Sequence, residues 1–344
     1  MAAAGHEART AEIEPLAPRR RRPGRWIKPL VTIALYAAVF YWTDAGAILA
    51  RLRGVRLEFL AAGVLLYGGG QLLSTWRWQL LQQAVGLRVR FLRLAAFYFI
   101  GMFFNLFLPT IVGGDAVKAL LLARESGSAA RATVSVFMER NVGLFALLVV
   151  AVVAAWLAPP VELGGLSLTT LTLLLAVGYV AANTVLFSAG LYRATDELMS
   201  RTGLERLRPH AASVYTAVRP YRSPSDQLVA AVVLAFAFQI IVIGVVFLTA
   251  LALSLQIPLS AVAVFVPLVS LAGMIPMSVN GLGVREALYI LLFGAIGISA
   301  EAAVSLALLY LAVTLVASLP GGLAYLLLRT PARLAARQAS PNSQ

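Results

Sequence analysis

Residues 271–286 read LAGMIPMSVNGLGVRE, an interruption inside a segment that is otherwise apolar enough to lie in a bilayer. Pro276 removes a backbone donor, Gly281 and Gly283 loosen the chain just after it, and a charged pair ends the stretch. A continuous helix does not fit this pattern, and amide groups freed at membrane depth must face protein or water. The stretch therefore predicts a broken, re-entrant element over about residues 259–298.

A second stretch has the same order of features. Residues 105–118 read NLFLPTIVGGDAVK, in which Pro109 is followed by Gly113 and Gly114 and then by charge. This pattern predicts a first re-entrant element over about residues 94–124. Two broken apolar segments in corresponding halves of a chain are typical of the binding site of a transporter built as an inverted repeat.

The composition is that of a membrane protein. The chain has 344 residues, of which 60% are hydrophobic and 12% are charged, so we expect an all-α polytopic membrane protein with about six full spans plus the two re-entrant hairpins. Cysteine is absent and the two histidines, His6 and His210, lie in polar surroundings. This inventory argues against a thiol, a metal site or a Ser-His-Asp triad in the membrane, and we expect no cofactor.

The apolar runs and the polar stretches divide the chain. We expect a disordered basic cytoplasmic tail over residues 1–28, one transmembrane domain over 29–328 with a cytoplasmic interfacial linker at 192–226, and a cytoplasmic tail over 329–344. An N-terminal signal peptide is the rival interpretation of the first apolar run.

The basic residues predict the orientation. With both termini in the cytoplasm, about 21 of the 28 Lys and Arg residues fall on the cytoplasmic side of the bacterial inner membrane. The net charge of +13 therefore indicates anionic lipid headgroups as partners and not nucleic acid. A homo-oligomer and an enzyme partner from lipid synthesis both stay open.

Few ionisable residues are left at membrane depth, where each costs about 2.5 to 3.5 kcal/mol and must pair or face a wet cavity. They are Arg77, Asp115, Lys118, Glu139, Arg140, Arg285 and Glu286. Arg77 lies between Trp76 and Trp78, a pattern typical of an interfacial belt in which an arginine snorkels to the surface.

Asp115 starts a good helix-forming run after the paired glycines. We expect it to be the N-cap of that helix with Lys118 one turn on as its partner, and a helix start of this kind also suits an anion. Glu139 and Arg140 are neighbours about 100° apart on a helix, so each must pair elsewhere or snorkel to the interface.

Arg285 and Glu286 open a helix after the second break. The helix dipole favours Glu286 and disfavours Arg285, so the arginine needs a partner. Either it forms an ion pair with Asp115 or Glu139, or it clamps a phosphate. Three polar residues in the breaks satisfy freed backbone or contact a headgroup, namely Asn105, Ser278 and Asn280.

These motifs resemble a known family, the lysylphosphatidylglycerol synthase transmembrane region, or flippase-like family. The resemblance is carried by Asn105-x-x-x-Pro109-x-x-x-Gly113-Gly-Asp115 with Lys118, by Met138-Glu-Arg140, and by Pro276-x-Ser278-x-Asn-Gly281-Leu-Gly283-Val-Arg285-Glu286. It implies a polytopic bundle with two re-entrant elements that translocates lipids, as do the multiple peptide resistance factor proteins with aminoacylated phosphatidylglycerol. Members that synthesise that lipid carry a soluble aminoacyltransferase domain after the membrane part. Only residues 329–344 follow it here, so we expect a transporter and not an enzyme.

The residues and the resemblance together predict a lipid translocase. Its substrate would be an anionic or aminoacylated phospholipid, or a polyprenyl- or hopanoid-type lipid, with phosphate held by Lys118, Arg285 and the helix N-termini. A membrane-embedded lipid-modifying enzyme and a non-transporting scaffold of envelope synthesis are the alternatives.

Overall fold

A computed structural model describes residues 27–107, 113–157, 162–163, 166–202, 208, 212, 215–216, 218–221, 225–273 and 281–338. Four positions of the predicted breaks lie outside these residues: Pro109, Pro276, Ser278 and Asn280. So do the first 26 residues of the predicted N-terminal tail and the last six residues of the chain.

Helices account for nearly all of the described chain. They are α1 (Ile27–Trp42), α2 (Ala45–Arg53), α3 (Leu57–Ala84), α4 (Phe91–Phe107), α5 (Gly113–Ser126), α6 (Ala129–Leu157), α7 (Leu168–Phe187), α8 (Ala189–Arg201), α9 (Asp226–Ala252), α10 (Leu259–Gly273), α11 (Val284–Gly294) and α12 (Ala300–Gln338). A two-residue antiparallel pairing, β1 (Glu162–Leu163) with β2 (Leu166–Ser167), joins α6 to α7. The prediction of an all-α polytopic membrane protein is confirmed.

Five helices of the described chain are long and apolar enough to cross a membrane: α3, α6, α7, α9 and α12. A sixth span arises if α1 and α2 count as one bent pair, with an angle of 86° between them. Asp44 begins α2, because its carboxylate accepts hydrogen bonds from the backbone N–H groups of Gly46 (2.7 Å) and Ala47 (3.3 Å). The first apolar run of the chain therefore ends at a sharp bend between α1 and α2.

An antiparallel pair, α3 and α9, forms the centre of the bundle. Its contacts pair Gly70 with Ile241 and Leu66 with Gly244, and a Cβ atom at position 70 would lie 2.8 Å from the Ile241 side chain. Glycine on α3 thus lets the two helices approach closely. Because α3 and α9 run in opposite directions, the hairpins that follow them start at opposite ends of the bundle.

The first hairpin, α4 with α5, begins and ends at one end of the bundle. Arg93 near the start of α4 lies 3.0 Å from Glu125 near the end of α5, and the two helices meet closely at Gly101 and Gly114. The connection from α3 and the turn into α6 are both short. This is the geometry expected of a re-entrant element.

The second hairpin, α10 with α11, lies at the other end. The rings of Phe265 and Phe293 are 5.2 Å apart, and a Cβ atom at Gly281 would lie 3.2 Å from the Gly273 carbonyl oxygen. The backbone N–H of Arg56, at the start of α3, donates to the last residue of α9, which places this end opposite the first hairpin. The two hairpins therefore have the inverted arrangement that the sequence predicted.

The described part of the predicted interfacial linker begins inside helix α8, none of whose residues is buried. Ser188 begins α8 by accepting a hydrogen bond from the backbone of Leu191. The Asp196 carboxylate accepts two hydrogen bonds from Arg208, at 2.8 and 2.6 Å, and they hold the pKa of Asp196 below its usual value. At the C-terminus, α12 continues to Gln338, so the residues predicted as a tail from 329 onward begin inside a helix.

Candidate functional site

Glu139 joins four helices through one carboxylate. Its Oε1 accepts hydrogen bonds from Arg77 Nη2 of α3 at 2.7 Å and from the Tyr98 hydroxyl of α4 at 3.1 Å, while its Oε2 accepts from Lys118 Nζ of α5 at 2.6 Å. The residue is 3% exposed. A carboxylate this deeply buried is stable as an ion only with such partners.

Asp115 extends the network. It lies 3.0 Å from Lys118 Nζ and also accepts a hydrogen bond from Arg140, which confirms the predicted pairing with Lys118. Arg140 is therefore paired and does not simply snorkel, although its side chain is partly exposed. Three cations and two carboxylates alternate in this charged cluster, which consists of Arg77, Glu139, Lys118, Asp115 and Arg140 and has a net charge of +1.

Lys118 is enclosed by aromatic rings as well as carboxylates. Its Nζ lies 4.4 Å from the ring centroid of Tyr98 and 5.3 Å from that of Trp78, within the range of cation–π attraction. A Cβ atom at Gly101 would lie 2.6 Å from the lysine side chain, so the glycine makes room for it. With both carboxylates also in contact, Lys118 is committed to structure and is a poor phosphate ligand in this conformation.

A cavity of about 310 Å³ lies against the charged cluster, and we call it the central cavity. It lies between the first hairpin and helices α3, α6, α9 and α12. Besides the five charged residues, its lining includes Tyr67, Gln71, Tyr98, Asn105, Gly143, Phe238, Gln239, Ser270 and Tyr310. This is the polar pocket at membrane depth that the buried charges require.

Asn105 of α4 caps the N-terminus of α5, a role that the sequence assigned to Asp115. Its Oδ1 accepts a hydrogen bond of 2.7 Å from the Gly114 backbone N–H. The prediction that Asp115 is the N-cap is wrong, because α5 begins at Gly113 and Asp115 lies inside its first turn. Capping from α4 leaves the Asp115 carboxylate free to bind Lys118 and Arg140.

Replacing Asn105 with alanine is expected to lower the free energy of unfolding by about 1 kcal/mol, because the Gly114 N–H loses its acceptor. Asn105→Asp keeps an oxygen at the same place and should retain most of the stability. Denaturant titration of the solubilised protein measures both. Equal losses in the two variants would show that the hydrogen bond to Gly114 has no part in the effect.

Arg285 and Glu286 pair with each other. Arg285 Nη2 donates to Glu286 Oε1 at 2.7 Å, and the Gly283 N–H donates to Glu286 Oε2 at 2.6 Å. Gly281 and Gly283 have φ values of 72° and 84°, a conformation that favours glycine. The predicted ion pair of Arg285 with Asp115 or Glu139 is wrong, since a neighbouring carboxylate at the helix start reaches the guanidinium first.

A second cavity, of about 200 Å³, lies beside Arg285. Ser270 and Tyr310 line this cavity and the central cavity alike, so the two adjoin. The second cavity lies against the second hairpin, since its lining includes Gly273, Gly281, Arg285 and Tyr289. Ser270 and Tyr310 thus form the boundary that the two cavities share.

The structure brings together most of the predicted site residues. Five line the central cavity: Asn105, Asp115, Lys118, Glu139 and Arg140. Arg285 lines the second cavity, and Glu286 is fully buried behind it. Gly113 begins α5 and Gly114 packs against Gly101 and Asn105, so both belong to the hairpin that positions the site.

Arg77 is the functional residue that sequence reasoning placed wrongly. It does not snorkel, because its side chain is 5% exposed and bound to Glu139. Trp76 is exposed while Trp78 is completely buried, so only one of the two flanking tryptophans belongs to the surface. Gln71 lies six residues before Arg77 on α3 and Gln239 lies in the middle of α9, and amides within two apolar spans are the signal that could have located this wall of the cavity.

Within the described ranges, no three acidic or histidine side chains lie close enough to hold a metal ion. The family model described as Lysylphosphatidylglycerol synthase TM region matches residues 26–321. A search of curated proteins found no match.

Proposed function

Because the chain belongs to the lysylphosphatidylglycerol synthase transmembrane family, we propose that it is a lipid translocase that moves a lipid between the leaflets of the bacterial inner membrane. The substrate class is an anionic or aminoacylated phospholipid, or a polyprenyl- or hopanoid-type lipid. The observation that carries the proposal is the pair of adjoining cavities between two hairpins at opposite ends of the bundle, one cavity lined by the buried Arg77 and the other by the partly buried Arg285.

The headgroup is the part of the lipid that needs a protein route. A charged group is expensive to move through hydrocarbon, whereas acyl chains stay in lipid throughout the movement. The two cavities share Ser270 and Tyr310 in their linings, and they place Arg77 and the charged cluster at one hairpin and Arg285 at the other. A headgroup that exchanges one arginine for the other would cross the middle of the bundle without entering lipid.

The carboxylates of the site supply exchangeable partners. Arg285 is held by Glu286 and Arg77 by Glu139. A phosphate that displaces a carboxylate from an arginine leaves that carboxylate with other donors, which are Gly283 for Glu286 and Lys118 for Glu139. Neither carboxylate is then left buried without a donor, which lowers the free-energy cost of the exchange.

The basic end of the bundle supports loading from the cytoplasmic leaflet, with both termini on that side. Arg88, Arg90, Gln83 and Gln227 line a surface pocket of about 470 Å³ between the start of α9 and the connection from α3 to α4. Both arginines are exposed. Each exposed arginine at a membrane surface contributes about 1 kcal/mol to the attraction of anionic lipids.

Replacing Arg285 with alanine is expected to lower the rate of lipid translocation at least about tenfold, because one charge-assisted contact to the headgroup is lost. The measurement is the movement of fluorescent phospholipids in liposomes that contain the purified protein. Arg201→Ala is the matched control, since Arg201 is an exposed arginine on α8 with a neighbouring glutamate. Translocation by Arg285→Ala at the wild-type rate would count against the site.

The same liposomes distinguish the rival functions. A lipid-modifying enzyme would change the chemical composition of the lipids, which mass spectrometry of the extracted lipids would detect. A scaffold would leave both the composition and the leaflet distribution unchanged. Leaflet exchange without chemical change is the result that the translocase proposal expects.

A further inference from the structure

Arg77 has more donors than the protein satisfies. One N–H group of Nη2 donates to Glu139, but Nε and Nη1 are buried and have no acceptor among the described residues. Buried guanidinium N–H groups without an acceptor lower the stability of the fold, and the ion pair with Glu139 does not satisfy them. The arrangement suits a ligand that brings its own oxygen atoms.

The central cavity lies directly beside Arg77, which forms part of its lining. A Cβ atom at Gly143 of α6 would lie 3.7 Å from the Nη1 and Nη2 atoms of Arg77. Glycine at 143 therefore places no side chain against the guanidinium. Gln71 and Gln239 add amide groups to the same lining.

The charge of the cavity sets the sign of the ligand. Both carboxylates of the charged cluster are already bound to two cationic side chains each, so neither is left for an ammonium group. The cluster retains one positive charge, and four of its five side chains are buried. A monoanion neutralises it, whereas a cationic headgroup would be repelled.

We propose that the central cavity binds a phosphate-type monoanion through Arg77, and that the lipid moved by this protein therefore has a headgroup with one net negative charge and no aminoacyl ammonium group. This inference rests on the proposed translocase function and narrows its substrate class. Arg77 presents a planar fork of donors, which matches the geometry of phosphate oxygen atoms.

Calorimetric titration of the full chain in a neutral detergent tests the binding site. Short-chain phosphatidylglycerol is expected to bind at least about tenfold more tightly than short-chain phosphatidylcholine or lysylphosphatidylglycerol. Inorganic phosphate is a separate arm of the titration. Binding of phosphatidylglycerol supports the lipid assignment, whereas binding of inorganic phosphate alone would overturn it in favour of a free anion.

Two variants separate anion binding from folding. Arg77→Lys keeps a positive charge beside Glu139 but removes the fork, and we expect it to bind phosphatidylglycerol about tenfold to a hundredfold more weakly while it stays folded. Gly143→Val leaves every charge in place and fills the space beside the guanidinium, so it should weaken binding as well. Wild-type affinity in both variants would overturn the proposal.

Binding and translocation are measured on the same preparations. Tight binding of phosphatidylglycerol without translocation would leave the anion site intact and remove the proposed function. Translocation by wild type and by Arg77→Lys at equal rates, with equal affinities, would keep the function and remove the role of Arg77.

Discussion

Replacing Glu139 with glutamine is expected to lower the free energy of unfolding by about 3 to 5 kcal/mol. The change removes one charge of a buried ion pair and leaves the opposite charge buried without its partner. Among the described residues, Arg77 loses its only carboxylate partner, and Lys118 keeps Asp115 alone. The glutamine has nearly the same volume, so the change reports charge and hydrogen bonding and not a cavity. Denaturant titration of the solubilised protein gives the difference.

The matched control is Glu197→Gln on α8. Glu197 forms an ion pair of 2.5 Å with Arg201, but both side chains are mostly exposed. Pairs of this kind contribute about 0 to 1 kcal/mol. A loss at Glu139 no larger than the loss at Glu197 would contradict the view that the buried network holds the helices together.

A second substitution tests the reason for the loss. Adding Lys118→Met to Glu139→Gln removes one of the cations that the first change leaves short of a partner. The double variant should therefore be more stable than the sum of the two single losses predicts. Additive losses would mean that Glu139 and Lys118 act independently, although their side chains lie 2.6 Å apart.

The two hairpins could be predicted because their signals are local. Glycines with positive φ at 281 and 283 and the glycine pair at the start of α5 are readable in short stretches of sequence. The inverted arrangement follows because three spans of the described chain, α6, α7 and α9, separate the hairpins, and an odd number of spans places them at opposite ends. The family resemblance, inferred from the same stretches, is confirmed over residues 26–321.

The long-range pairing of the charges could not be predicted, because it depends on contacts between residues far apart in sequence. Arg77 and Glu139 are 62 positions apart, and nothing near Arg77 in sequence indicates that α6 supplies its partner. The pair of Arg285 and Glu286 was missed for a different reason. Neighbours on a regular helix point about 100° apart, but at a helix start two long side chains can still meet.

The cap of α5 shows how a correct signal can be assigned to the wrong residue. Asp115 after two glycines is a typical helix start, yet Asn105 performs the capping from α4. The hairpin brings residues 105 and 114 together, and only the folded structure reveals that approach. The sequence therefore located the site but not the division of tasks within it.

Gly321→Ala should destabilise the bundle by about 1 to 3 kcal/mol or more, although helix propensity alone predicts a gain of about 1 kcal/mol. A Cβ atom at this position of α12 would collide with the Phe99 backbone carbonyl of α4. Backbone atoms cannot rotate away as a side chain can. The two helices would have to separate, and α4 carries Tyr98, which binds Glu139.

Two other glycines make this prediction a graded series. At Gly322 a Cβ atom would lie 2.9 Å from the ring of Phe103, which can shift, so Gly322→Ala should cost less than Gly321→Ala. At Gly69 no atom lies within 4 Å of the added Cβ, so Gly69→Ala should gain stability from its helix propensity alone. Thermal unfolding of the three variants measures the order. Equal stability of all three would mean that α12 and α4 do not pack at the distance described, and the wall that α12 gives to the central cavity through Tyr310 would then be placed wrongly.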